Sequence, residues 1–126
     1  MLNPYDGTIT FILQIIVMSQ ADNVESWIIE RSSRATFEFE ETKIRQFQWF
    51  LSTDKSKATL LEVFDDSEGA LTRFHNLMSS PVAPECMDRF EIENLTVLGD
   101  ASHELREALA SLAPDFRAFA GGFVRV

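Results

Sequence analysis

KATLLEVFDDSEGALTRFHNLM, residues 57 to 78, changes its hydrophobic period from two to nearly four partway along. Before Asp65, the side chains Ala58, Leu60, Glu62 and Phe64 fall on one side of an extended chain and Thr59, Leu61 and Val63 on the other, because successive strand side chains alternate in direction. After it, Leu71, Phe74, His75 and Met78 recur at i, i+3, i+4 and i+7, the spacing of an apolar helical stripe. Asp65 with Glu68 has the form of a capping box, and Asp66 and Ser67 offer further acceptors for the free N–H groups of a first turn. A strand therefore runs straight into a helix. Glu62 and Phe64 come near the strand's end, and the stripe predicts that His75 faces the sheet.

Working upstream, Ile44 to Leu51 reads as a strand with Phe47, Trp49 and Leu51 on one face and Ile44, Gln46, Gln48 and Phe50 on the other. The polar stretch Ser52 to Ser56 is short enough for a hairpin loop, so this strand pairs antiparallel with Ala58 to Phe64. Asp22 and Glu25 repeat the capping spacing and open a helix striped by Val24, Trp27, Ile28 and Ala35. That helix is predicted to run to about Glu40, although residues 36 to 40 alternate as a strand would. Thr8 to Met18 is a first strand, apolar on both faces except at Thr10 and Gln14.

Downstream, Pro81 and Pro84 prevent one regular element over Ser79 to Arg89 and leave room for a short helix that has Pro84 in its first turn and reaches Met87. Phe90 to Leu98 is a fourth strand closed by Gly99, and Ser102 begins a last helix carrying Leu105, Ala108, Leu109 and Leu112 and ending before Pro114. The tail, with Phe116, Phe119 and Phe123, is too apolar to hang free and is expected to pack on the body or on a neighbour.

Strand, helix, strand, strand, helix, strand is the split βαβ, ferredoxin-like plan, an α+β fold with an antiparallel sheet and its helices on one face. The 126 residues make one domain, with a core over about 8–99 and a C-terminal helix and tail over 100–126. Strands apolar on both faces leave the uncovered side of the sheet greasy, which predicts a homodimer packed sheet to sheet.

Twenty acidic against eleven basic residues leave a net charge of -9, which repels phosphate backbones and anionic lipid, so neither nucleic acid nor membrane is an expected partner. The apolar run Ile9 to Met18 is too short to span a bilayer. Asp6 stands where a signal peptide would be basic, and one cysteine, Cys86, fits a reducing cytoplasm. Two histidines far apart make no zinc or iron motif, and the glycines at 7, 69, 99, 121 and 122 form no dinucleotide or phosphate loop. No bound cofactor or metal is expected.

The strings QWFLS (48–52), LEVFDDSE (61–68) and LGD (98–100) followed by ELREAL (104–109), set in this order of elements, resemble the antibiotic biosynthesis monooxygenase family of dimeric α+β barrels. The resemblance spans about Thr8 to Leu112. It implies a dimeric barrel with one pocket per subunit between helices and sheet. Among the activities it implies are the oxidation of phenols or hydroquinones to quinones by dioxygen without metal or flavin, and haem degradation; many members have no assigned reaction. The family's carboxylate, its aromatic residue two positions on and its histidine in the next helix fall on Glu62, Phe64 and His75. Haem-degrading members carry Trp where this chain has Phe64.

Cofactor-free oxygenation needs an electron-rich substrate, a group that removes its proton and a dry pocket. Glu62 and His75 are the candidate acid–base pair, with Gln14, Trp49, Phe64 and Phe74 as candidate contacts for a small aromatic or hydrophobic ligand. The plainer alternatives are a core histidine bonded to a carboxylate, and Trp49, Phe47 and Phe50 as core or interface. For the whole chain they are a non-catalytic dimeric barrel binding a small hydrophobic molecule, or an assembly module whose pocket is filled by its own Phe side chains. His103, in the first turn of the last helix, is given no role.

Overall fold

A computed structural model of the chain describes residues 5–18 and 23–125. Its centre is strand β1 (Ile9–Val17), whose β-branched and aliphatic side chains suit a strand flanked on both edges. Helix α1 follows as three continuous segments, Val24–Trp27, a π-helical Ile28–Ser33 and Arg34–Glu38. Then come β2 (Ile44–Leu51), β3 (Lys57–Phe64), α2 (Ser67–Met78), α3 (Val82–Arg89), β4 (Phe90–Leu98), α4 (His103–Leu109) and β5 (Asp115–Arg117). The sheet order is β2-β3-β1-β4-β5. Its first four strands are antiparallel neighbours, the ferredoxin-like arrangement, and β5 is added parallel to β4. The helices lie on one face.

The start of the tail packs on the body, whereas Phe123 and Val124 beyond it stay exposed. Arg106 lies over the ring of Phe116, 4.4 Å from its centroid, and Phe119 stacks on Tyr5 with centroids 5.3 Å apart.

Two apolar clusters fill the helix-covered side. One joins Ile9, Phe11, Phe64, Ala70, Leu95, Val97, Leu105 and Leu109; the other joins Ile15, Val24, Trp27, Ile28, Ala58, Leu60, Val82 and Phe90. Leu13 touches both.

Several boundaries differ from the sequence expectation. The cap expected at Asp22 lies outside the described residues, and Asn23 takes the N-cap position of α1 with φ 55°. In α2 the cap is Asp66, whose side chain accepts from the Gly69 N–H at 2.9 Å. Asp65 instead takes a two-pronged bond from Arg45. Residues 36 to 38 stay helical, since Thr36 is buried and its hydroxyl donates to the Ser32 carbonyl at 2.8 Å. Helix α3 is longer than expected. Pro84 is its third residue, where a missing N–H breaks no intrahelical bond.

Strand β4 carries a bulge that decides what faces the helices. Its register against β1 shifts between Gln14 and Ile15, so Asn94 pairs with Gln14 but Ile92 with Ile15, and Glu93 is the extra residue. One inserted residue exchanges the faces of everything beyond it. Phe90 and Ile92 therefore point the same way as Leu95 and Val97, where strict alternation would have turned Glu91 and Glu93 inward.

Candidate functional site

Between the helices and the sheet lies a chamber of about 120 Å³, walled by Leu13, Ile15 and Leu60, by the rings of Trp27, Phe47, Trp49 and Phe90, and by Leu77, Val82 and Cys86. Met87 and Ile92, both exposed, form its rim. Among the described residues, the charged side chains lining it are Glu62 and Arg73. Two wider grooves, about 590 and 600 Å³, run along opposite edges of the molecule and are open to solvent. Neither is lined by Glu62.

Glu62 reaches the chamber because β3 alternates: Ala58, Leu60, Glu62 and Phe64 all point to the helices and are buried. Its neighbours across the sheet are Phe11 on β1 and Phe47 on β2. With only 7% of its surface exposed and apolar groups around it, its carboxyl is pushed up to about 7. Burial is the largest cause; the Arg73 guanidinium pulls the other way and the Glu41 carboxylate adds to the rise. A carboxyl poised there can both take and return a proton near neutral pH.

Arg73 comes from α2. Gly69, Ala70 and Arg73 are the buried residues of that helix, on the line facing the sheet. Arg73 donates from Nη1 to Glu41 Oε2 at 3.2 Å, and Asn76 Nδ2 donates to the same oxygen at 2.9 Å. Both side chains of the Arg73–Glu41 pair are almost wholly buried. The guanidinium also lies over the Phe39 ring, 5.4 Å from its centroid.

The far wall is fixed by hydrogen bonds. The π-helical turn of α1 brings Ser32 inward, where its hydroxyl accepts from Trp49 Nε1 at 3.1 Å; such widened turns frequently mark functional sites. Trp27 Nε1 donates to Glu85 Oε1 at 3.0 Å. Glu85, bonded first to Arg31 and then to Trp27, is held down at about 2. Cys86 sits in the wall with its thiol pushed up to about 11, mainly by burial.

Of the six residues expected at the site, Glu62 and Trp49 line the chamber. His75 does not. It lies on the exposed face of α2, and the position facing Glu62 is held by Arg73. The stripe of Leu71 and Phe74 packs into the cluster that holds Leu105 and Leu109 rather than into the chamber, so the helix is turned from the expected orientation. Phe74 therefore belongs to core packing. Phe64 does too: fully buried, it meets Phe11 edge to face at 5.1 Å. Gln14 points to the opposite side of the sheet, exposed, where its Oε1 accepts from the Thr59 hydroxyl at 2.7 Å. The residues missed were Arg73, Trp27, Ser32 and Thr36. For Arg73 a signal existed, because Gly69, Ala70, Arg73 and Leu77 are themselves spaced as one helical face. Among the described residues, no group of three or more His, Cys, Asp or Glu is placed to hold a metal ion, and no helix is long and apolar enough to cross a membrane.

No family model and no curated protein matches this sequence. Solved structures do match by shape. MupZ from Pseudomonas fluorescens superposes with a TM-score of 0.81 at 17% identity, over 99% of this chain and 94% of that one. Rv0793 from Mycobacterium tuberculosis gives 0.57 at 14% identity, over 77% and 98%. SnoaB, a cofactor-independent oxygenase from Streptomyces nogalater, gives 0.56 at 12% identity, over 76% and 95%. At these identities the likeness is one of fold: the chain has the α+β architecture of these proteins, and its C-terminal part falls within the extent shared with MupZ.

Proposed function

We propose that this chain is a cofactor-independent monooxygenase that oxidises a small phenol or quinol with dioxygen, Glu62 serving as the base. The observation that carries the reading is a carboxyl with a proton affinity near neutrality, buried in a chamber walled by aromatic rings. A volume of about 120 Å³, with Met87 and Ile92 exposed at its rim, is of the order of the engineered apolar cavity of about 150 Å³ that takes benzene, so the ligand expected is no larger than a single ring. Glu62 removes the hydroxyl proton, and the electron-rich anion passes electrons to dioxygen. One oxygen atom enters the ring and the other leaves as water, so that phenol plus dioxygen gives quinone plus water. SnoaB, which shares the fold, is an oxygenase without a cofactor.

The test is oxygen uptake by the purified protein with a panel of hydroquinones. Turnover above the blank is expected, and Glu62→Gln is expected to lower it by about 10²–10⁴-fold. A panel that consumes no oxygen beyond the blank defeats the proposal.

A second reading, a non-catalytic barrel that binds a small hydrophobic molecule, is favoured by the position of His75, which leaves the chamber without the second base first expected. It predicts that single-ring compounds raise the melting temperature without being consumed.

We also propose that the chain works as a homodimer. Ile12, Ile16, Phe50, Leu61, Val63 and Leu98 lie on the side of the sheet away from the helices, with Phe50 53% exposed. A second copy covering that face would bury the patch and leave each chamber bounded by its own helices.

A further inference from the structure

We propose that Arg73 holds the oxyanion left when Glu62 takes the substrate's proton, which makes it a second catalytic residue. The assignment rests on the acid–base reading of Glu62 given above. Arg73 and Glu62 both line the chamber, yet no ion pair within 4 Å joins them. Both groups thus face one cavity without neutralising each other directly, and a substrate oxygen held there is within the reach of both. Among the described residues the guanidinium hydrogen-bonds through Nη1 alone, to Glu41. Nε and Nη2 have no acceptor among the described residues, on a side chain only 5% exposed.

An anion in an apolar chamber is costly unless a fixed opposite charge meets it. A guanidinium supplies that charge at every working pH. Glu41 and the ring of Phe39 hold Arg73 in place, and Asn76 steadies Glu41 in turn. Before the step, Glu41 and Glu62 carry two negative charges and Arg73 one positive. In the step the substrate O–H bond breaks, its electron pair stays on oxygen and the proton goes to a Glu62 carboxylate oxygen. The net charge of the chamber is unchanged; one negative charge moves from Glu62 to an oxygen beside Arg73. The substrate class that follows is a neutral hydroxyl acid, a phenol or an enol, rather than an amine.

The probe is 4-nitrophenol, whose anion absorbs in the visible. In a Glu62→Gln background, where no proton acceptor competes, bound 4-nitrophenol is expected to ionise at least about one pH unit lower than in the same background carrying Arg73→Gln and Glu41→Gln together. The paired change leaves no lone charge buried, and circular dichroism checks that the variant folds. A second measurement needs no Arg73 variant: at pH 9, Glu62→Gln protein should bind 4-nitrophenolate at least tenfold more tightly than the uncharged 4-nitroanisole. Equal ionisation in the two backgrounds, or equal binding of the two compounds, overturns the role of Arg73 and leaves the chamber's function standing. Failure of wild-type protein to bind 4-nitrophenol overturns the reading of the chamber itself and the assignment with it.

Discussion

Glu62 ties stability to pH as well as chemistry. Its carboxyl sits at about 7 in the folded chain against an ordinary value of 4.5, so the folded state binds this proton more firmly than the unfolded one. The stability that follows is fully present below pH 4.5 and is lost as pH rises through 7. About two and a half pH units correspond to about 3 kcal/mol. Glu62→Gln removes the titration, so guanidinium unfolding should find the variant gaining on wild type between pH 5 and pH 8, by up to about 3 kcal/mol. A constant difference across that range would contradict the buried, poised carboxyl. This residue was legible because strand alternation alone sets its direction. Arg73 was missed and His75 misplaced, because a hydrophobic stripe counts apolar side chains. The face of Gly69, Ala70, Arg73 and Leu77 was open to reading, but the partner that lets a guanidinium be buried there, Glu41, is distant in sequence and leaves no mark in the local pattern. Gln14 failed differently: a polar residue in an apolar strand marks the pocket only if it shares the face of the pocket, and it has the opposite phase to Leu13 and Ile15.

Helix α2 delivers Arg73 only because it lies close to the start of β2. Gly69 makes the approach possible: a Cβ added there would stand 2.7 Å from Lys43 Cβ and 3.3 Å from the Lys43 carbonyl oxygen. Alanine in a helix interior ordinarily gains about 1 kcal/mol over glycine. Here the overlap with a rigid Cβ and backbone should cost more than that, as overpacking costs about 1–3 kcal/mol. Gly69→Ala is therefore expected to lower stability by about 1–2 kcal/mol in guanidinium unfolding, and a gain instead would show that the helix can move away. Among the elements, the bulge of β4 was readable in principle: Phe90 and Ile92 alternate in one phase and Leu95 and Val97 in the other. The π-helical turn of α1 was not, since no residue type specifies it. What the structure shows is its result, a buried Ser32 beneath Trp49.

At the scale of the molecule, the order of the first four strands followed from the alternation of periods along the chain, whereas β5 did not. Three residues pairing with β4 are too few to leave a pattern of their own. The proposed dimer is tested at this scale. Sedimentation at micromolar concentration should give twice 14.3 kDa, and Leu61→Lys, at the middle of the open face opposite Ile12, should return the single chain while keeping the circular dichroism of the fold. A lone 14.3 kDa particle for the wild-type protein would leave the apolar face without its proposed cover.

Cys86 brings a last consequence. Under the proposed reaction the chamber admits dioxygen and, with it, peroxide, and a thiol in the wall is a group open to oxidation. Only the ionised form of the group reacts quickly, and at about 11 that form is scarce at physiological acidity. The same greasy surroundings that raise the Glu62 carboxyl thus keep the neighbouring thiol in its slow-reacting form, so that under the proposed turnover in air this cysteine is spared oxidative wear.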